Sequence, residues 1–174
     1  MSLDKRRLTD FLEEIDRALS KNITLVAAGG TAMTLLDVKP STIDVDFTGP
    51  AESISELNVA VDRLQPGFRV DSWPDGMVFS QTLPDDYLRK SIPIITKYRH
   101  IELRAMNPLD IVVTKIGRLD KRDWEDIEHC IGRFKLTRSQ IKNRAAQVEY
   151  VGNEEVYRSN VESVLARFFG DKPN

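Results

Sequence analysis

Little in this chain points to a stapled, zinc-caged or membrane-embedded protein. One cysteine, Cys130, stands among 174 residues, so no disulfide can close within the chain and a reducing, cytoplasmic setting is expected. Two histidines, His100 and His129, are a poor set for zinc, which leaves hard, oxygen-ligated cations as the expected metal class. No apolar stretch approaches the roughly 20 residues that span a bilayer. The opening "MSLDKRRLTDFLEEIDRAL" starts basic but turns acidic and amphipathic, unlike a secretion leader. Repeats and low-complexity tracts are missing. The formal net charge of -2 argues against a protein that coats nucleic acid.

What is present suffices for a core. Apolar residues make up 41% of the chain and charged residues 30%, the balance of one soluble domain, or of a domain with a helical appendage. The expected division is 1–120 for the main domain and 121–174 for the helical part. Charge is unevenly spread: between Lys115 and Arg144 nine Lys/Arg face five Asp/Glu. That excess fits contact with a polyanion such as RNA, and equally fits solvated helix faces.

Periodicity predicts an amphipathic helix over 4–20, a buried strand at "ITLVAA", and a short helix from near Thr31 that Pro40 cannot continue. "STIDVDFTG" alternates, with Ile43, Val45 and Phe47 on the expected buried face. "ESISELNVAVDRL" reads as a helix. "GFRVDSW", "GMVFS", "IPIITKY" and "HIELRAM" read as strands. Asn107 and Pro108 are an expected N-cap and first turn, Thr137 is a further cap, and everything after Lys121 reads helical up to a stop at Gly170. The expected fold class is therefore α/β (of the α+β type): a mixed sheet flanked by helices, then a C-terminal helical part.

The chemistry concentrates in "LVAAGGTAMTLLDVKPSTIDVDF". Asp44 and Asp46, two apart on a strand, leave the same face, and such a pair repels unless a cation sits between them or one takes up a proton. Mg²⁺ bound alongside substrate phosphates needs that kind of pair. Gly29 and Gly30 follow a buried strand and precede a helix, a turn where backbone can approach a phosphate, and Thr31 adds a hydroxyl. Each half has a bland counterpart, a polar strand face or a sterically required turn. Together they form a site for a metal-nucleotide.

Gly29-Gly30, thirteen residues, then Asp44-Val45-Asp46 resembles the signature of the nucleotidyltransferase superfamily, whose fold is that of the DNA polymerase beta palm. "AAGGTAM" and "TIDVDF" are most similar to small prokaryotic members related to abortive-infection toxins. In "NPLDIVVTKIGRLDKRDWEDI", the residues Pro108, Asp110, Lys115, Arg122, Asp123 and Asp126 resemble a second block of those relatives. The resemblance covers residues 23–127.

It implies a nucleotidyltransferase-like mixed sheet and Mg²⁺-dependent transfer of an NMP from an NTP to a hydroxyl acceptor, tRNA or another RNA included. Asp44 and Asp46 would hold Mg²⁺, with a two-metal site open. Gly29, Gly30 and Thr31 would hold phosphates, and Lys115 would contact triphosphate oxygens. For a third carboxylate it offers Asp123 ahead of Glu102, with Asp126 capping or orienting the basic residues. Asp123 also fits a helix N-terminus and Glu102 a solvent-facing strand. Arg118 and Lys121 could steer phosphate or RNA, or simply be solvated. Trp73 and Trp124 are expected to pack, and His129 and Cys130 to be incidental. The competing class is a nucleotide-binding module without turnover, paired with an antitoxin-like protein. A Rossmann dehydrogenase is excluded by the missing third glycine.

Overall fold

The computed structural model describes residues 2–170. A short strand β1 (Leu3–Asp4) leads into α1 (Lys5–Ala18), where Asp4 accepts from the Arg7 N–H at 2.9 Å. Leu8, Phe11, Leu12 and Ile15 bury the stripe that their helical spacing predicts. The apolar run that follows is β2 (Ile23–Ala27), and α2 (Gly29–Leu35) opens directly behind it, earlier than Thr31. Next come β3 (Ser41–Thr42), β4 (Val45–Gly49), α3 (Ala51–Leu64) and β5 (Val70–Pro74).

β6 (Met77–Val78) and β7 (Gln81–Thr82) form a hairpin turning at Phe79 and Ser80. After α4 (Tyr87–Lys90) and β8 (Ile92–Pro93) comes β9 (Ile101–Ala105). Then follow α5 (Pro108–Arg118), α6 (Lys121–Phe134), α7 (Arg138–Ala145), β10 (Glu149–Tyr150) and α8 (Glu154–Phe169). Asn107 caps α5 with Pro108 in the first turn, and Thr137 caps α7 with a reciprocal Gln140 bond, as their sequences predict.

The main sheet has the order β5-β4-β2-β9-β8. β2 is parallel to β9 and β4 to β5, while β2 and β4 are antiparallel. The C-terminal ends of β2 and β9 therefore share an edge with the N-terminal ends of β4 and β5. α1 packs on α3, α2 packs on α5, and α6, α7 and α8 gather around α5. This is the expected α/β arrangement of the α+β type, a mixed sheet flanked by helices. Arg144 on α7 is buried against Asp110 of α5, at 2.5 and 3.0 Å, and reaches Asp86 at 2.7 Å.

Four expectations need correction. β4 begins at Val45, so Asp44 lies in the bend before it, and Ile43 is 51% exposed rather than buried. "GMVFS" is a hairpin, not one strand, because Phe79 turns the chain with a φ of +58°. Only Ile92–Pro93 of "IPIITKY" pairs in a sheet. The last helical stretch is interrupted by β10, whose Glu149 and Tyr150 pair antiparallel with Thr82 and Gln81.

Candidate active site

At the shared sheet edge lies a cavity of 690 Å³. Gly29, Gly30, Asp44, Asp46 and Asp71 line it, together with Lys39, Lys115, Arg118 and Arg122. The glycine turn fits closely. Gly29 takes a φ of +49°, and a Cβ there would lie 3.3 Å from Asp46 Oδ2. A Cβ on Gly30 would lie 2.5 Å from Thr42 Oγ1.

Thr31 does not reach this cavity. It is buried, and its hydroxyl donates to Asp44 O at 3.2 Å and accepts from the Asp46 N–H at 3.0 Å. Thr42 also donates to Asp44 O, at 2.9 Å. The threonine foreseen as a phosphate donor is therefore a brace for the loop that carries both aspartates.

Asp46 is 7% exposed and stands across from Asp71 in the parallel β4–β5 register. Burial, then the charges of Asp71 and Asp44, push its carboxyl up to about 7. Asp71 carries one near cation, Arg69, at 2.7 Å. Sequence reasoning missed Asp71. Its only local signal is the alternation of "RVDSW", and the rest depends on which strand β5 joins.

The two acids foreseen as a third carboxylate are placed elsewhere. Asp123 is fully buried and forms a capping box with Asp120 at the start of α6. Arg118 grips it with two bonds of 2.8 Å, and Lys115 Nζ lies 3.2 Å away. Burial pushes that carboxyl up, but the Arg118 hydrogen bonds and the Lys115 and Arg118 charges outweigh it and hold it below the usual range. Glu102 pairs in register with Thr24, three residues down β2 from Ala27, or about 10 Å at the usual strand rise. It binds Arg104 at 3.0 Å and Thr24 at 3.3 Å, away from the cavity.

Lys115 is 6% exposed and lies 2.7 Å from Asp126, which also holds Lys39 at 2.9 Å. Arg122 and His129 face the same cavity, while Cys130 is buried. Trp73 lines the cavity edge-on to Phe79, with centroids 5.2 Å apart. Trp124 packs against Phe168 and under the Arg167 guanidinium. Among the described residues, no three His, Cys, Asp or Glu side chains are grouped as a ready-made metal cage, and no helix is long and apolar enough to cross a membrane.

Residues 6–165 match the family model described as "Nucleotidyltransferase of unknown function (DUF6036)". The chain belongs to this nucleotidyltransferase family. Its fold is similar to that of ANT(2")-Ia solved in complex with adenylyl-2"-tobramycin, with a TM-score of 0.55 at 15% identity, over 94% of this chain and 99% of that one. A solution structure of the antibiotic-resistance factor ANT(2'')-Ia gives 0.54 at 16% identity, over 95% and 98%. A stretch of 146 residues is 25% identical to NADPH-dependent 7-cyano-7-deazaguanine reductase of Hahella chejuensis (strain KCTC 2396). It covers 80% of this chain and 52% of that protein, so the chain spans about half the length of the curated relative it matches.

Proposed function

We propose that this nucleotidyltransferase moves an NMP from an NTP to a hydroxyl acceptor in a Mg²⁺-dependent reaction at the Asp44–Asp46–Asp71 edge. The observation that carries the reading is Asp46, buried between two further carboxylates and directly behind a glycine turn. These acids fit a hard cation: oxygen donors only, mutually repelling, with Asp46 driven toward protonation when no cation faces it. Asp44 and Asp46 would hold the metal, which would supply charge neutralisation at the triphosphate.

The chain's own groups do the remainder. Gly29 and Gly30 line the cavity where the phosphates would lie, and without side chains they let the turn close against Asp46 and Thr42. Arg122, exposed on the cavity wall, meets the charge that collects on the departing pyrophosphate. Asp71, outside the Thr31 brace, accepts the acceptor's proton as its oxygen bonds to the α-phosphorus. The bond from that phosphorus to the bridging oxygen breaks. Lys115, bound by Asp126 and Asp123, orients this wall rather than standing free for phosphate. A third carboxylate beside Asp46 favours turnover over the inactive binding module.

The acceptor divides into two classes. RNA contact would use exposed Lys121, Arg122, Arg133 and Lys135, since Lys115, Arg118 and Arg144 of the same basic segment are held in ion pairs. A small-molecule hydroxyl is the other class, and one solved relative holds adenylyl-2"-tobramycin. The test is calorimetry with each NTP, with and without Mg²⁺, on wild type and on the Asp44→Ala/Asp46→Ala double variant. Incubation with α-labelled NTP and pooled RNA or aminoglycosides follows. Metal-dependent binding lost in the double variant supports the site, and absence of binding by every NTP to wild type ends the reading.

A further inference from the structure

The carboxylate cavity adjoins a second pocket of 260 Å³, and Phe79, Lys115 and Arg118 line both. The smaller pocket is completed by Ser80, Gln81, Thr114, Gly117 and Tyr150. Its walls are fixed. Val151 donates to Ser80 O at 2.9 Å, which ties the hairpin turn to β10, and Tyr150 stacks on Tyr157 with centroids 5.2 Å apart. A Cβ on Gly117 would collide with the Gln81 amide, so the helix leaves that space for this side chain.

Two features of the pocket go unexplained by folding. Gln81 is 3% exposed and its Nε2 donates to Thr114 O at 2.7 Å, yet its Oε1 has no partner. It is the single buried side-chain polar atom left so among the described residues. Turning the amide over would set two oxygens against each other at Thr114, so the orphan atom stays an acceptor. A buried acceptor without a donor destabilises the fold unless something supplies one.

The second feature is Phe79, an aromatic residue at a φ of +58° in the first place of a two-residue turn, where glycine is the usual choice. The residue is 39% exposed, with its ring edge-on to Trp73 and the Arg118 guanidinium 5.8 Å from its centroid. Strain of that kind persists where the surroundings hold it, and it gathers at ligand clamps.

We propose that this pocket is the nucleobase subsite and that it selects a base with an amino group at purine position 6 or pyrimidine position 4. The inference rests on the nucleotidyl-transfer reading, since the phosphates must reach the carboxylate cavity past Lys115 and Arg118. An amino hydrogen satisfies Gln81 Oε1, whereas a keto oxygen at the same place turns a lone pair toward it. The ring of Phe79 offers the base a stacking surface. Adenine and cytosine share this chemistry, and the arms of the test separate them.

Dissociation constants with Mg²⁺ are measured for ATP, ITP, CTP, UTP and inorganic triphosphate. The proteins are wild type, Gln81→Met and Phe79→Gly, each with its melting temperature recorded. ATP is expected to bind about tenfold tighter than ITP, or CTP than UTP, and the larger ratio names the base. Gln81→Met brings that ratio to about one and leaves triphosphate binding unchanged. Phe79→Gly, which suits the positive φ, weakens every nucleotide about tenfold and spares triphosphate. The wild-type ratios need no variant to fold. Ratios within about twofold while triphosphate still binds would overturn the base pocket and leave the carboxylate site standing. A ratio that survives Gln81→Met overturns it as well. If neither triphosphate nor any NTP binds, the transfer reading fails and takes this inference with it.

Discussion

Asp46→Asn tests the carboxylate cluster through stability alone, before any substrate is known. The carboxyl titrates near 7 in the folded chain against an ordinary value of 3.8. Below the ordinary value both folded and unfolded chains hold the proton, and nothing is lost. Between the two values only the unfolded chain ionises, so stability falls as pH rises, and the loss is complete above about 7. Its full size is about 4 kcal/mol, of which about 2 kcal/mol falls between pH 5.5 and 8.

Urea denaturation with a chelator present, on wild type and Asp46→Asn at those two pH values, reads this directly. The wild type should lose about 2 kcal/mol more than the variant across the window. Other shifted groups do not spoil the comparison. Asp16, Asp86 and Asp123 are held below the usual range and stay ionised throughout, and buried Asp110 is present in both proteins. Saturating Mg²⁺ should flatten the wild-type slope, because the cation replaces the proton. Parallel pH profiles for the two proteins would refute the reasoning, since Asp46 would then not feel Asp44, Asp71 and burial together.

Asp71→Asn should lower transfer by about a hundredfold or more with the fold intact, while Glu102→Gln, which changes an acid remote from the cavity, leaves the rate unchanged; one kinetic comparison checks both. Gly30→Ala forces Thr42 aside and with it the bond to Asp44 O. Mg²⁺-NTP affinity is expected to fall about tenfold or more by calorimetry. Lys115→Met leaves Asp123 and Asp126 buried with a cation removed, and should destabilise the protein by about 3 kcal/mol in urea denaturation.

What was legible in the sequence is what local chemistry dictates. The stripe of α1, the caps at Asn107 and Thr137, the glycine turn and the Asp44–Asp46 pair are each written within a few neighbouring residues. Asp71 was not, because its place beside Asp46 is set by the parallel register of β4 and β5, which α3 bridges. Nothing in "RVDSW" says which strand it joins. Asp123 misleads for a different reason: an acid that caps a helix while gripped by Arg118 has the same sequence surroundings as one offered to a ligand. Glu102 sits on the expected strand but at its far end, a matter of register with Thr24. The hairpin at Phe79 stayed hidden because its positive φ is occupied by an aromatic residue instead of glycine or asparagine.

The arrangement of charge around the cavity sets the order in which its ligands can arrive. Six carboxylates line it, from Asp44, Asp46, Asp71, Asp120, Glu125 and Asp126, against five cations from Lys39, Arg69, Lys115, Arg118 and Arg122. Each of those cations except Arg122 is already within 4.0 Å of a carboxylate. A free triphosphate would therefore meet a cavity whose positive charge is largely answered, and would have to draw Lys39 from Asp126. On the proposed function, a nucleotide that brings Mg²⁺ would instead meet Asp44 and Asp46 with a cation and would leave those pairs intact. NTP affinity measured with a chelator should accordingly be at least about tenfold weaker than with Mg²⁺. Equal affinity in the two conditions would mean that the basic wall, and not the aspartate pair, holds the phosphates.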